Sequence, residues 1–241
     1  MNRDTTRARR RQRHEEKFSL TTEDDPELAF RWTATEVEAC LNKGRKKKLV
    51  EFLQARYDWR FFKPITCLHD EERHNHKGYG MSIMALCALL VESIQCCRHG
   101  LPSTYRPELY QLAVRYNPPP EYVVPQTDWR SGEDVFIEFF EDFRDLFPNV
   151  SGREFYRGIR NGLLHQAQTK NGWRIRVDGE MLCDPTEKTI DRDRFTDSLE
   201  TAFGRYVDDL RRSPLQADVW QKAMRRIWWL ITMSRNRPLA Q

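Results

Sequence analysis

The stretch Met81–Arg98, MSIMALCALLVESIQCCR, is the most apolar part of the chain. It predicts a mostly buried helix that ends near Gly100 and Pro102, because glycine readily adopts the left-handed conformation of a helix C-cap. Glu92 is the only acidic residue in the stretch, and a lone carboxylate in a buried helix requires a polar partner. The stretch therefore predicts a central helix against which the rest of the chain packs.

Most of the remaining chain is also predicted to be helical. Apolar residues recur at helical spacing in five further regions, which are about 33–57, 131–147, 151–168, 191–210 and 215–235. The turn signals Asn171-Gly172 and Asp178-Gly179 bracket alternating residues and predict a small β-hairpin over 170–184. The expected fold class is therefore all-α, a helical bundle with a small β-hairpin inserted before its last helices.

The net charge of +4 is unevenly distributed along the 241 residues. Residues 1–17 hold six Arg and one Lys against one Asp and two Glu, so the rest of the chain is neutral. We expect a basic, disordered tail over 1–22, which either contacts nucleic acid or is simply solvated, and a single helical domain over 23–241. A neutral domain argues against a broad surface for duplex nucleic acid, although a local basic cleft remains compatible with it.

The cysteine pattern and the N-terminal sequence predict a cytoplasmic protein in a reducing compartment. Cys87 and Cys96 lie in the apolar stretch, which is typical of buried thiols and not of a disulfide framework. The Arg-rich N-terminus lacks the apolar segment of a signal peptide. No run approaches ~18 uninterrupted apolar residues, so we expect no membrane span.

A second stretch, Gly158–Gln166 or GIRNGLLHQ, places an Arg, an Asn and a His on one predicted helix. Each residue of an α-helix turns by about 100°, so Asn161 and His165 share a face and Arg157 falls on the same line. Arg160 lies further round, but its long side chain can swing partway back. The polar side of this helix therefore carries three types of residue that can act on a phosphate.

The other side of the same helix is predicted to face the core. Phe155, Ile159 and Leu163 form an apolar stripe on this side. Gly162 lies in the stripe, where the absence of a side chain would let another backbone approach closely. Such an approach fits packing against a neighbouring segment or against a symmetry mate.

The polar residues of this helix suit cleavage of a phosphodiester bond. A His with a pKa near neutrality can deprotonate a ribose 2′-hydroxyl or protonate the leaving oxygen. An Arg can hold the phosphate and stabilise the transition state, and an Asn can orient either group. Cleavage through the 2′-hydroxyl uses a base and an acid, whereas one site has one His. We therefore expect a homodimer that brings two motif helices together.

The run Arg160-Asn161-Gly-Leu-Leu-His165 resembles the Arg-x(4–6)-His signature of the HEPN superfamily, in its Arg-Asn-x-x-x-His form. The motif covers six residues, and the helical context extends the resemblance over about 80–210. The resemblance implies a helical bundle that dimerises with the motif helices facing each other. It also implies a metal-independent endoribonuclease without a cofactor, in which Arg160 and His165 are catalytic and Asn161 supports them.

Further residues and partners are implied by the same resemblance. Some members have a polar residue on an earlier helix that contacts the motif Arg, and Glu92 is the candidate here. Arg157 is a candidate supporting or RNA-binding residue because of its helical spacing from Asn161, not because of the resemblance. Many members are toxins or phage-defence effectors, which implies RNA as the substrate and an antitoxin or defence-system protein as a partner. The toxin subgroup paired with a nucleotidyltransferase typically has a Tyr two residues after the His, where this chain has Ala167. An antitoxin that modifies this Tyr is therefore not expected.

Two alternatives remain open at this stage. The first is a HEPN-like scaffold that binds nucleic acid or a protein without cleaving RNA. The second is a zinc protein, since Cys and His cluster in one region and two nearby Cys and one His could add ligands. The residues concerned are Cys67, His69, His74 and His76, with Cys96, Cys97 and His99. No paired Cys-x-x-Cys is present and the spacing matches no common zinc finger, so a polar loop is favoured and no metal is expected.

Overall fold

The structure is a computed structural model that describes residues 25–75, 78–104, 110–111 and 115–235. The predicted basic tail over 1–22 lies outside the described residues, and so does His76. The described part of the chain is mainly helical and carries two small sheets. This result confirms the mainly-α class that the apolar spacing predicts.

The described residues before the central helix form two short strands and three helices. In chain order they are β1 (Glu27–Ala29), β2 (Trp32–Thr33), α1 (Ala34–Asn42), α2 (Lys46–Tyr57) and α3 (Lys63–Asn75). β1 and β2 pair antiparallel. Thr33 caps α1 with a capping box, in which its hydroxyl accepts the Glu36 N–H and the Glu36 carboxylate accepts the Thr33 N–H. A π-helical turn, Asp58–Phe62, joins α2 to α3.

The apolar stretch forms the central helix, α4 (Gly80–His99). Gly100 follows it with φ 69°, the left-handed conformation that its sequence predicts. Short 3₁₀ turns at Pro120–Tyr122 and Gln126–Asp128 precede the next helix. The later elements are α5 (Gly132–Asp142), α6 (Gly152–Glu154), α7 (Asn161–Gln166), β3 (Arg174–Arg176), β4 (Cys183–Asp184), β5 (Thr189–Asp191), α8 (Arg192–Arg212) and α9 (Asp218–Arg235).

A π-helical segment, Phe155–Arg160, connects α6 to α7, so that 152–166 form one continuous helix. We call this helix the motif helix. Ser151 caps its N-terminus by accepting the Glu154 N–H. Ala167 adopts the left-handed conformation, with φ 53°, and ends the helix after Gln166.

The central helix packs against α5, α7, α8 and α9, which places it inside the bundle. Ile83, Leu90 and Ile94 are fully buried along it, and burial of such side chains stabilises the fold by about 1.5–3 kcal/mol each. By length and composition alone α4 could cross a membrane, with a mean hydropathy of 1.7 over its most apolar window. Its packing in the core accounts for this apolar composition.

An aromatic cluster fixes the motif helix against its neighbours. Phe155 stacks on Phe195 of α8, with ring centroids 5.1 Å apart and planes 4° from parallel. Its ring also lies 5.2 Å from that of Phe140 and 5.7 Å from that of Phe136, both on α5. Such pairs add directional contacts to the burial of apolar surface. The N-terminal half of the motif helix is therefore held between α5 and α8.

The predicted β-hairpin over 170–184 is wrong in its pairing. β3 and β4 do not pair with each other, because β5 lies between them, parallel to β3 and antiparallel to β4. Both predicted turns exist, with Asn171 and Asp178 at φ 58°. The buried carboxylate of Asp191, at the end of β5, accepts the Gly179 N–H and also caps α8. This contact holds the second turn against β5, and β5 takes the central position.

An ion pair joins α3 to the start of α8. Arg192 is 8% exposed in its side chain, and its guanidinium donates to both carboxylate oxygens of Glu72, with 2.9 Å between Nη1 and Oε1. Glu72 also accepts the Tyr79 N–H at 3.0 Å. The hydrogen bonds from Arg192 hold the pKa of Glu72 below its usual value.

We expect Glu72→Gln to lower the free energy of unfolding at neutral pH by about 1–3 kcal/mol, since it leaves the two Nη atoms of a nearly buried guanidinium without their carboxylate. The contribution of the carboxylate is present above the ordinary pKa of Glu, about 4.3, and is lost as the pH falls through the lower folded-state pKa. Chemical denaturation at neutral pH and in acid measures both effects.

The difference between wild type and Glu72→Gln should therefore shrink in acid. Glu187→Gln is the matched control, because its ion pair with Arg174 is exposed on both sides and should contribute little. A Glu72→Gln effect that is equally large in acid, or no larger than that of the control, would contradict this assignment.

Candidate functional site

The motif helix departs from α-helical geometry just before the motif. Phe155–Arg160 is π-helical, and the Asn161 N–H donates to the carbonyl of Tyr156, five residues earlier. Such turns are rare and occur frequently at functional sites. Apolar spacing predicts an α-helix here and does not reveal the wider turn.

Arg160 lies at the end of the π-helical segment and is 9% exposed. Its Nη2 donates to Oε2 of Glu92 at 3.0 Å, and its Nη1 donates to Oδ1 of Asn161 at 3.1 Å. The guanidinium carbon lies 5.4 Å from the ring centroid of Tyr156, a distance typical of a cation–π contact. The structure thus brings together Arg160, Asn161 and Glu92, the contact expected between the motif and the central helix.

Glu92 is in turn fixed by a second partner. Its Oε1 accepts a hydrogen bond from the hydroxyl of Thr104 at 3.1 Å. The lone carboxylate of the apolar stretch is therefore paired at both oxygens, as its partial burial requires. Thr104 and Tyr156 are site residues that the sequence analysis missed. Only Tyr156 had a signal, since it lies four residues before Arg160 on the same helix.

His165 differs from Arg160 in being exposed and unbound. It lies in the last turn of the motif helix, and its imidazole makes no hydrogen bond to the rest of the described chain. The left-handed Ala167 stops the helix two residues later. The imidazole is therefore free to exchange a proton with a bound molecule, which an interior His could not do without rearrangement.

Arg157 does not join this group. Its Nε and Nη2 donate to the two carboxylate oxygens of Glu133 on α5, at 2.8 Å and 3.0 Å. Arg153 pairs with the same carboxylate at 3.0 Å. These ion pairs tie the motif helix to α5 and account for Arg157 without a ligand.

The two glycines of the motif helix face a segment of the same chain. A Cβ at Gly162 would overlap the carbonyl oxygen of Gln168, and one at Gly158 would lie 2.5 Å from the indole of Trp173. The Lys170 N–H donates to the Gly158 carbonyl at 2.7 Å. The close approach expected at Gly162 is therefore present, but its partner belongs to the same chain. We call this partner, residues 168–173, the return segment. A symmetry mate would have to use the side of the helix that carries Asn161 and His165.

The Cys/His region offers no assembled metal centre. Within 25–75, 78–104, 110–111 and 115–235, no three His, Cys, Asp or Glu side chains are grouped so as to hold a metal ion. His69 lies 3.6 Å from Asp193, and His74 contacts a backbone carbonyl of its own helix. Burial raises the pKa of the Cys96 thiol to about 12, which disfavours the thiolate that binds zinc. The zinc alternative therefore gains no support from the described residues.

A groove between α2 and α8 is unsuited to a phosphate backbone. It has a volume of about 580 Å³ and is lined by the carboxylates of Glu51, Asp58 and Glu200 above Phe62 and Phe203. Burial, followed by the nearby carboxylates, raises the pKa of Glu200. The lining residues include no Lys or Arg that could hold a phosphate, so the groove does not compete with the motif helix as an RNA site.

The motif site combines a fixed guanidinium with a free imidazole. Three side chains hold the guanidinium, whereas the imidazole is exposed on the next turn of the same helix. Comparisons of the chain with protein-family models, curated proteins and solved structures found no match. The chemistry of the site is therefore inferred from these contacts and from the motif itself.

We expect Gly162→Ala to destabilise the protein by about 1–3 kcal/mol, the usual cost of overpacking a tight contact. The added methyl group would meet backbone atoms of the return segment, which cannot move aside as a flexible side chain can. Gly204→Ala is the matched control, because a Cβ at this helical position meets nothing within 4 Å. The control should be neutral or stabilising, since Ala favours the helix over Gly. Equal unfolding midpoints for the two variants would contradict the close approach at Gly162.

Proposed function

We propose that this protein is a metal-independent endoribonuclease of HEPN type, which cleaves RNA through the 2′-hydroxyl. The proposal depends on one observation above all. Arg160 of the Arg-Asn-x-x-x-His run is held in place by Glu92 and Asn161, and an exposed His165 lies on the following turn. Transesterification at a phosphate requires a fixed cation and a free acid–base group, and this helix carries one of each.

Each residue has a distinct role in the proposed reaction. The 2′-oxygen attacks phosphorus while its proton passes to a base, and the 5′-oxygen leaves with a proton from an acid. His165 exchanges these protons, Arg160 stabilises the additional negative charge on the phosphate oxygens, and Asn161 orients the guanidinium. The products are a 2′,3′-cyclic phosphate and a 5′-hydroxyl, and neither a metal nor a cofactor takes part.

The proposed active form is a homodimer in the cytoplasm. One site supplies one His, and a second copy facing it would supply the other, so that base and acid are both present. Exposed apolar side chains lie on the central and motif helices, namely Leu89 at 39% and Leu164 at 37% exposure. Contact between copies would remove such side chains from water. From the resemblance we also propose a role as a toxin or phage-defence effector, with an antitoxin or defence-system protein as a partner.

A second function is favoured by the burial of Arg160. Its charge is neutralised by Glu92 and little of its side chain is exposed. A structural ion pair has the same appearance, because a buried charge must be paired whether or not it acts on a substrate. The alternative is therefore a scaffold of the same fold that binds nucleic acid or a protein without cleaving RNA.

Cleavage of single-stranded RNA in EDTA separates these two functions. We expect wild type to cleave, and His165→Ala and Arg160→Ala to lose at least about 100-fold in rate, the usual contribution of a proton-transfer or charge-stabilising group. The cleaved ends should carry a cyclic phosphate. Matched controls are Arg73→Ala and His74→Ala, which remove the same side-chain types from the exposed face of α3 and should retain activity.

Each outcome of this cleavage experiment favours a different function. RNA binding without cleavage by wild type would favour the scaffold. Activity that EDTA abolishes, or that His165→Ala retains in full, would show that the motif is not the catalytic centre. Retained RNA binding by the inactive variants would show that these residues act in the chemical step.

A further inference from the structure

Thr104 connects the motif site to a part of the chain that the motif does not include. Its side chain is buried, with 5% exposure, and its hydroxyl donates to Oε1 of Glu92. The segment 101–104 that carries it follows the end of the central helix. Nη1 of Arg226, on α9, donates to the carbonyls of Leu101 and Pro102 in this segment, at 2.8 Å for Leu101. The position of the hydroxyl is therefore set by α9 as well as by α4.

The hydroxyl determines the orientation of the Glu92 carboxylate. Oε2 of Glu92 binds Arg160 and Oε1 binds Thr104, so each oxygen has a partner on a different part of the chain. A carboxylate held at one oxygen alone can rotate about its last bond, whereas one held at both cannot do so without breaking a hydrogen bond. The fixed carboxylate in turn fixes the orientation of the Arg160 guanidinium.

The Arg160 guanidinium needs this support because its Nε is not held by a hydrogen bond. Nε of Arg160 is buried and has no hydrogen-bond partner among the described residues. The orientation of the group therefore depends on its two Nη atoms and on the ring of Tyr156. A change in the position of Glu92 would turn the guanidinium, because no third hydrogen bond opposes the rotation.

We propose that Thr104 is a positioning residue of the motif site, which holds Glu92 in the orientation that fixes Arg160. The catalytic consequence of this inference rests on the proposed ribonuclease function, whereas its structural content does not. Thr104 touches no substrate, and it acts through Glu92. Small displacements of a catalytic group reduce reaction rates strongly, since the reacting groups must be held closely in place.

Two variants separate the hydroxyl from the rest of the side chain. Thr104→Val keeps the shape and removes the hydrogen bond, and Thr104→Ser keeps the hydroxyl. We expect Thr104→Val to lower kcat about tenfold with little change in KM, and Thr104→Ser to remain close to wild type. Thr201→Val is the matched control, because that hydroxyl is exposed and bonds only to its own helix. Thr104→Ala serves as a second variant if the valine protein does not fold.

A spectroscopic measurement decides the structural content without reference to activity. In protein labelled with ¹⁵N-arginine, the Nε–Hε signal of Arg160 can be assigned by its loss in Arg160→Lys. We expect this signal to move in Thr104→Val, or in Thr104→Ala, and to stay in place in Thr104→Ser and Thr201→Val. An Arg160 signal that is unchanged in both hydroxyl-free variants would overturn the proposal.

The two readouts also distinguish this inference from the proposed function. If wild type does not cleave RNA, the ribonuclease function fails, and the Arg160 signal still decides the role of Thr104. If wild type cleaves and the hydroxyl-free variants keep both kcat and the Arg160 signal, the positioning role fails while the ribonuclease function stands.

Discussion

The ion pair between Glu92 and Arg160 is the constraint on which the rest of the site depends. It joins the one carboxylate of the mostly apolar central helix to the one buried arginine of the motif helix. Two charges so poorly exposed to water stabilise each other only if their geometry is good and their other atoms are satisfied. Thr104 and Asn161 supply these additional hydrogen bonds. The pair thereby fixes how the two helices lie against each other.

Packing on the remaining sides leaves the motif helix a single free face. Phe155 is enclosed by rings from α5 and α8, and the two glycines lie under the return segment. Arg157 is committed to Glu133. The side with His165 remains open to solvent. Packing against the neighbouring segments therefore buries the apolar residues of this short helix and leaves that polar side exposed. The buried arginine of this helix is held by two hydrogen bonds and the ring of Tyr156.

The sequence predicts those features that are written locally and fails where distant segments decide. The apolar run that forms α4 and the glycine that ends it are both visible over a few residues. The requirement that Glu92 have a partner is also visible, because a lone carboxylate in such a helix is costly. The order of the three-stranded sheet is not, since β5 is a strand of three residues whose central position depends on the contact between Asp191 and Gly179. The contribution of Thr104 has no sequence signal, because nothing near it in the chain indicates what its hydroxyl meets.

The π-helical turn determines the direction in which the motif side chains face, as well as the shape of the motif helix. Such a turn corresponds to one extra residue inserted into an α-helix, so the residues after Arg160 are rotated relative to those before it. The same residues wound as a regular α-helix would place the six that follow Arg160 about 100° further round the helix axis. The string Arg-Asn-x-x-x-His would be the same letter by letter in that regular helix, while its side chains would face different neighbours. The residues of the motif and the direction in which they face relative to the core are therefore separate properties of this fold. Two chains with the same Arg-Asn-x-x-x-His string can differ in whether the site is assembled.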